Sequence, residues 1–218
     1  IYYVSPKGND SNDGRSPEKA WRSIDRVNKG YKGNYQAGDR ILFEGGQTFS
    51  GMIYFESKKL HGTKDLPVTF SSYGTGRATI KGDMAGFMVS GVGGITIENI
   101  NFLGPGSEKG GSGISIVNET PTTVSGFRFL DLEISRFTNS IYIATGEIPS
   151  KIQNIHIERL SAHDNASGPS LFGHFAVSSA RSGGDYGLRD VYVGHSESFN
   201  NTGSVISNMC TGMCFMNV

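Results

Sequence analysis

ITIENINF at residues 95–102, FRFLDLEI at 127–134, IHIERLSA at 155–162 and VYVGHSES at 191–198 are four versions of one pattern. They follow one another at steps of 32, 28 and 36 residues. Apolar and polar residues alternate within each copy, which is the period of a β-strand. Self-similarity at such a period predicts a stacked architecture, in which each unit buries its apolar face against its neighbours.

A second set of short segments lies between these copies. They are FMVS at 87–90, ISIV at 114–117, IYIA at 141–144 and FAVS at 175–178, at steps of 27, 27 and 34 residues. The links show no helical period, so the chain is expected to wind round and return one layer higher, about 4.8 Å away. The prediction is an all-β, right-handed parallel β-helix, its hand taken from the general preference for right-handed crossovers. A β-sandwich is the alternative, but it does not predict that successive copies align column by column.

Residues at equivalent positions should then form vertical columns. The sequence predicts three of them, which are an inward column (Ile97, Phe129, Ile157, Val193), a bend column (Ile100, Leu132, Leu160, Ser196) and an outward column of alternating charge (Asn99, Asp131, Arg159, His195). Opposite charges in neighbouring strands stabilise a stack modestly. We therefore interpret the charged column as structural.

The chain is predicted to be a single domain, 1–218, with three parts. Residues 1–37 should supply a strand, a loop and a short capping helix, for which Ser16 is the N-cap and Pro17 the first helical residue. Residues 38–204 should form the stacked coils, with the helix covering the open edge of the first. Residues 205–218 depart from the repeat and are expected to be irregular. An uncapped end would expose strand edges, so a longer β-helix, self-association or a partner is expected there.

Composition limits the partners. The 218 residues carry 20 basic and 20 acidic side chains and no net charge, which argues against nucleic acid or a membrane surface as partner. No apolar run has the length needed to span a bilayer.

Two groups of residues bear on metals. Cys210 and Cys214 could form a metal pair or a disulfide or be free thiols. They lack the further ligands that a zinc site needs, so we interpret them as inert or incidental. Asp10, Asn12 and Asp13 leave Ca²⁺ open as a cofactor, although turns of this kind commonly bond their own backbone. No other cofactor is expected.

Four phrases in the N-terminal part carry a resemblance to a known family. They are YVSPKGND at 3–10, DGRSPEKAW at 13–21, GDRILF at 38–43 and PVTFSSYG at 67–74. They resemble secreted proteins of the pectate-lyase-like β-helix superfamily. The resemblance implies a secreted or periplasmic protein with a polysaccharide substrate. It does not select among lyases, glycosidases, epimerases and β-helix proteins without known activity, because no catalytic motif of one branch is present.

In that superfamily substrate lies along the first strand of each layer and the loops that lead into it. The best candidate constellation there consists of Arg136, Tyr142, His163, Asp164 and His174. A polysaccharide lyase must neutralise a uronate carboxylate and remove the adjacent C5 proton. Arg136 would neutralise the uronate carboxylate, and His163 or His174 would be the base that removes the C5 proton. Tyr142 would donate a proton. The alternative is that these are solvated loop residues.

A glycosidase needs two carboxylates instead. One outward column holds Asn101, Glu133, Ser161 and Glu197. Two layers place Glu133 and Glu197 about 9.6 Å apart, at the far end of the range of inverting enzymes. The column lies on the third strand, away from the usual groove, which favours a solvated role. The sequence thus predicts a carbohydrate-active enzyme, a lyase ahead of a hydrolase. A non-catalytic polysaccharide-binding, adhesin or tailspike-like β-helix and an inactive fragment of a longer enzyme are the alternatives.

Overall fold

A computed structural model describes residues 1–30, 32–56, 59–146, 149–167, 170–172, 187–203, 207–209 and 214–216. Almost all regular structure in these ranges is strand. The strands are β1 (Tyr2–Val4), β2 (Tyr35–Gln36), β3 (Arg40–Glu44), β4 (Thr48–Ser50), β5 (Ile53–Glu56), β6 (Leu60–His61), β7 (Val68–Tyr73), β8 (Ala78–Lys81), β9 (Ala85–Ser90), β10 (Ile95–Glu98), β11 (Ile100–Leu103), β12 (Ser112–Asn118), β13 (Thr123–Ser135), β14 (Asn139–Thr145), β15 (Lys151–His163), β16 (Ser170–Phe172), β17 (Leu188–Gly194), β18 (Glu197–Phe199), β19 (Ser207–Met209) and β20 (Cys214–Met216). The helix α1 spans Ile24–Lys29, and short 3-10 turns span Pro17–Lys19 and Ser107–Lys109. None of the described helices has the length and apolar character to cross a bilayer.

The strands build two main parallel sheets. The first sheet runs β19-β16-β14-β12-β9-β5, and the second holds twelve strands, among them β3, β7, β10, β13, β15 and β17. Each coil of the repeat gives one strand to the first sheet and one or two strand segments to the second. All strand pairings in the described ranges are parallel, which is unlike the antiparallel sheets of a sandwich. The coiled, parallel-sheet part of the prediction is therefore confirmed.

The predicted inward column is confirmed residue by residue. Ile97 lies opposite Phe129, Phe129 opposite Ile157 and Ile157 opposite Val193, all in the second sheet. All four side chains are buried. Like residues thus stack on like, and the core is a continuous ladder of Phe, Ile and Val along the coil axis.

A column of left-handed residues bends each coil of the second sheet. Its members have φ values near 50°, at Asn99 (54°), Asp131 (54°), Arg159 (53°) and His195 (48°). Asn and Asp accept this conformation at little cost, whereas Arg rarely adopts it. The predicted charged column is therefore the corner of the coil. It separates β10 from β11 and β17 from β18, while β13 and β15 continue through it.

The predicted continuous helix from Pro17 is interrupted. Ser16 caps only the short turn Pro17–Lys19, and α1 begins after Ser23, whose side chain accepts from the Arg26 amide. Between them the buried Trp21 pairs with Val4 as a short parallel bridge. A backbone engaged in a sheet bridge cannot also continue a helix, which explains the break.

Helix α1 packs against the edge of the first sheet. The Asn28 side chain donates to the Met52 carbonyl (2.9 Å) and accepts from the Tyr54 amide (3.0 Å). Strand β5 is the last strand of that sheet at this end. One side-chain amide therefore satisfies backbone groups that an edge strand would otherwise expose.

The loop before α1 uses its acidic and amide side chains internally. Asp10 accepts from the Arg22 amide, the Ser23 amide and the Ser23 hydroxyl at 2.7–2.9 Å. Burial raises the pKa of Asp10, but these hydrogen bonds together lower it by more than burial raises it. The net shift of the pKa is therefore downward. Asn12 donates to the Ala20 carbonyl and Asp13 accepts from the Arg15 amide. Within the described ranges no cluster of three or more His, Cys, Asp or Glu side chains is arranged to hold a metal ion.

The fourth of the predicted first-sheet segments lies elsewhere than predicted. The expected segment was 175–178, which lies outside the described residues, but it is β16 (Ser170–Phe172) that pairs with β14, with Ser170 opposite Tyr142. The preceding turn has the same length in both coils, because Ser135 pairs with His163 and Asn139 with Ser167. The equal length of these two turns fixes the register of β16 on β14, which the apolar pattern alone does not predict.

The predicted irregular segment 205–218 contains two strands. Strand β19 pairs with β16, and β20 pairs with β17, both in parallel. An edge strand offers unpaired backbone groups that any extended segment can bond, whatever its side chains. The backbone of residues 207–209 and 214–216 therefore continues the parallel strand pairing, although the residue pattern of the repeat is absent there. Cys210 lies outside the described residues, and Cys214 is the first residue of β20.

Candidate functional site

The structure brings together two of the five predicted site residues. His163 ends β15, and Asp164 follows it in a left-handed conformation (φ 55°). Arg136 occupies the same bend one coil below, is exposed and has φ 64°. Tyr142 lies in β14, on the first sheet, whereas His163 lies on the second. His174 lies outside the described residues. The five residues therefore do not form one described cluster.

His163 is held by three neighbours. Its Nδ1 lies 2.8 Å from Asp164 Oδ2, and its Nε2 lies 3.4 Å from Glu133 Oε1. Its ring stacks on Phe199, with 4.9 Å between centroids and 9° between planes. An ionised carboxylate only accepts hydrogen bonds, so Nδ1 carries a proton toward Asp164. The opposite nitrogen then faces Glu133.

The carboxylate column predicted from the sequence is present. Asn101 pairs with Glu133, Glu133 with Ser161 and Ser161 with Glu197. The Ser161 hydroxyl donates to Glu197 Oε1 at 2.8 Å. Two coils separate the glutamates, about 9.6 Å at the spacing of hydrogen-bonded strands. The small Ser161 side chain leaves room between them.

A cavity of about 460 Å³ surrounds this column, and we call it the carboxylate cavity. Its lining residues are Arg77, Leu132, Glu133, Arg159, Leu160, Ser161, His195, Ser196 and Glu197. Such a volume lies within the usual range of small-molecule sites. The sequence identified the column but gave no signal for the cavity, because a concave surface depends on how the corner and the neighbouring strands are placed.

An ion-pair network stiffens the corner beside the cavity. Arg159 binds both oxygens of Asp131, at 2.6 and 2.9 Å, and also lies 3.1 Å from Glu158. Glu158 contacts His156 (2.9 Å) and His195 (3.3 Å). The hydrogen bond from Arg159 lowers the pKa of Asp131, and the hydrogen bond to His156 is the main cause of the lowered pKa of Glu158. The predicted stabilising pair of this column is thus between Arg159 and Asp131.

The ion pair predicts a pH dependence of stability. Because the pKa of Asp131 is lowered on folding, its contribution is present above the ordinary pKa and is lost as pH falls through the folded pKa. Both side chains are more than two fifths exposed, so we expect Asp131→Asn to cost only about 0.2–1 kcal/mol at neutral pH. The difference in urea midpoint from the wild type should vanish near pH ~2. Asp83→Asn, at an exposed position, is the control; an equal difference at both pH values would contradict the assignment.

Comparisons with known proteins fit a coiled parallel-sheet protein. No protein-family model matches the sequence. A lacto-N-biosidase of Bifidobacterium longum subsp. longum is 38% identical over 74 residues, which is 34% of this chain and 4% of that protein. Crystal structures of the GH136 lacto-N-biosidase from Eubacterium ramulus superpose with TM-scores of 0.71 (native protein) and 0.70 (selenomethionine derivative), at 16% and 17% identity. A rhamnogalacturonan lyase superposes with a TM-score of 0.65 at 18% identity.

Coverage limits what these likenesses show. The superpositions cover 89–94% of this chain, but only 40–42% of the GH136 chains and 52% of the lyase chain. Identities below a fifth show the shared fold alone. The comparisons therefore support a shared fold of coiled parallel strands, and they show no family or superfamily for this chain.

Proposed function

We propose that this chain is a secreted or periplasmic, carbohydrate-active, right-handed β-helix protein that hydrolyses a glycosidic bond. One observation carries the hydrolytic part, namely two glutamates two coils apart that line one cavity on either side of Ser161. Inverting glycosidases place their carboxyl groups about 6.5–9.5 Å apart, so that substrate and water fit between them. The names of the structural neighbours, a lacto-N-biosidase and a rhamnogalacturonan lyase, support carbohydrate as the substrate class.

The contacts of the two glutamates suggest their roles. Glu197 accepts a hydrogen bond from Ser161, which suits a carboxylate that acts as general base. Glu133 faces Nε2 of His163, whose other nitrogen is held by Asp164. In the proposed reaction Glu133 protonates the leaving oxygen, and Glu197 takes a proton from the water that attacks the opposite face of the sugar. His163 is placed to return a proton to Glu133 after each turnover.

β-Elimination is the second candidate, favoured by the imidazole of His163. Asp164 orients that ring at 2.8 Å, as an orienting carboxylate does for a catalytic base. The roles predicted for elimination are divided between two sheets, with Tyr142 on the first and His163 on the second, whereas both glutamates line one cavity. Hydrolysis is for this reason placed ahead of elimination.

Product analysis tests the proposal. The purified chain is incubated with rhamnogalacturonan, polygalacturonate and an oligosaccharide ending in lacto-N-biose. New reducing ends are measured together with ultraviolet absorbance of unsaturated uronates. We expect reducing ends without absorbance, and an inverted anomer by NMR in the first minutes. Unsaturated products would overturn hydrolysis in favour of elimination, and the absence of any product would overturn catalysis by this chain.

A further inference from the structure

A second cavity, of about 400 Å³, lies across the corner from the first, and we call it the corner cavity. It rests on the outward face of the N-terminal halves of β13, β15 and β17. Its polar and aromatic lining includes Lys64, Arg128, Asn154, His156, Asp190 and Tyr192. None of its lining residues lines the carboxylate cavity. It is therefore a separate site, to which the proposed hydrolysis gives no role.

One wall of the corner cavity exists because Gly126 has no side chain. A Cβ at Gly126 would lie 2.8 Å from the Lys64 Cα, closer than real Cβ atoms approach. The φ of Gly126 is 84°, which also favours glycine. The segment that carries Lys64 can therefore lie directly against the coil, and it brings an ammonium group to the rim.

The opposite wall is a fixed pair of rings. Tyr192 stacks on His156, with 4.5 Å between centroids and 19° between planes. The His156 ring is anchored by Glu158, whose Oε2 lies 2.9 Å from Nε2. Tyr192 lies over Gly194, where a Cβ would collide with the phenol ring. A flat ring edge held in this way gives a sugar ring a rigid surface at little entropic cost.

The lining of the corner cavity holds two cationic residues, Lys64 and Arg128, and two acids, Glu158 and Asp190. Among the described residues, neither Lys64 nor Arg128 has a carboxylate within ion-pair distance. Glu158, in contrast, already contacts His156, Arg159 and His195. Asp190 is then the one further acid in the lining, opposite two cations. The cavity is therefore suited to a ligand that carries a negative group and hydroxyls.

We infer that the corner cavity binds an anionic sugar residue of a glycan. Arg128, with its planar fork, and Lys64 would hold a carboxylate or a sulfate. Asp190 would accept hydrogen bonds from hydroxyls, Asn154 would donate or accept them, and the Tyr192 edge would contact the ring. The site extends the proposed function, since it names an acidic glycan as ligand, but binding there does not depend on the glutamates of the other cavity.

Calorimetric titration tests the inference. The protein carries Glu133→Gln so that turnover is slowed during the titration, and the probes are trigalacturonate, its methyl ester and a sulfated glycan oligosaccharide. We expect trigalacturonate or the sulfated probe to bind, the ester to bind far more weakly, and Arg128→Gln or Lys64→Gln to weaken binding roughly tenfold, as expected for a lost charged hydrogen bond. Binding should also weaken as salt is raised.

Arg40→Gln is the matched control. Arg40 lies in the same outward column three coils below Arg128, through Thr69 and Thr96. Arg40→Gln should leave the affinity for trigalacturonate and the sulfated probe unchanged. Circular dichroism should show the same melting curve for all variants. Equal affinity for the acid and its ester, unchanged affinity in Arg128→Gln, or no binding by any probe would each overturn the site. Binding by the sulfated probe alone would assign sulfate as the anionic group. Because Glu133 is already replaced, failure of hydrolysis does not affect this result.

Discussion

Glu133→Gln is expected to lower kcat about 10²–10⁴-fold with little change in KM. Glutamine keeps the shape of the side chain but cannot protonate a leaving oxygen. Glu197→Gln should lower kcat to a similar extent, because an amide cannot take a proton from water. Both residues line the carboxylate cavity, and neither side chain is part of the core, so the variants should fold normally.

Substrate choice separates the two roles. An aryl glycoside with a leaving group that departs without protonation should largely restore turnover in Glu133→Gln and should not restore it in Glu197→Gln. Glu98→Gln is the matched control, because Glu98 is also an outward carboxylate of the second sheet, in an exposed pair with Arg40 at 3.4 Å. If both variants lost kcat to the same extent on the natural substrate and on the aryl glycoside, the assignment of acid and base would be contradicted. Wild-type turnover in both would remove the pair altogether.

Asn165→Ala is expected to lower the free energy of unfolding by roughly 2–6 kcal/mol, since two buried backbone groups lose their partners. Asn165 is fully buried at the turn after β15. Its side chain donates to the Ile134 carbonyl (3.0 Å) and accepts from the Phe137 amide (2.9 Å). Asn201 repeats the arrangement one coil higher, where it donates to the Ala162 carbonyl and accepts from the Asn165 amide. Each asparagine thus ties its own turn to the coil below.

Urea denaturation followed by circular dichroism measures this effect. Ser140→Ala is the control, because the Ser140 hydroxyl is equally buried and has no hydrogen-bond partner among the described residues. Removing a polar group that is already unpaired should cost little or stabilise the protein. If Asn165→Ala were no more destabilising than Ser140→Ala, the asparagines would not be what holds the turns together.

The coiled fold was predictable because each coil repeats the same burial. One buried position is equivalent in all four coils, and an apolar β-branched or aromatic residue occupies it each time, at Ile97, Phe129, Ile157 and Val193. The alternation of apolar and polar residues predicted strands. The spacing between the copies of the pattern predicted which strands pair with each other. The outward carboxylate column followed from the same register without further information.

The register of β16 was not predictable from the apolar pattern. The segment 175–178 resembles its counterparts more than Ser170–Phe172 does, yet the turn length places Ser170 on Tyr142. The signal lay in the turn, where Phe137 and Asn165 occupy fixed distances from their strands. The hydrogen bonds that Asn165 exchanges with the Ile134 carbonyl and the Phe137 amide hold this turn on the turn below, so the four-residue spacing between the paired residues is kept here.

The sites were only partly predictable. His163 and Asp164 are neighbours in sequence, so their contact followed directly. Tyr142 lies in a first-sheet strand, as predicted, but the sequence pattern gives no distance between that strand and the turn that follows His163. The two cavities had no sequence signal. The corner cavity depends on the approach of Lys64 to Gly126, which belongs to a different coil and cannot be read from either segment alone.

A stack of coils has a consequence for the stereochemistry of any carboxylate pair that it carries. Outward side chains in one column can be separated only by whole multiples of about 4.8 Å. One step is close to the distance of about 5–5.5 Å that retaining glycosidases use, and two steps to the distance of inverting ones. Glu133 and Glu197 are two steps apart with Ser161 between them. In such a scaffold, a carboxylate introduced at the intermediate rung, as in Ser161→Glu, would place two carboxylates one step apart, which is the spacing of the retaining class.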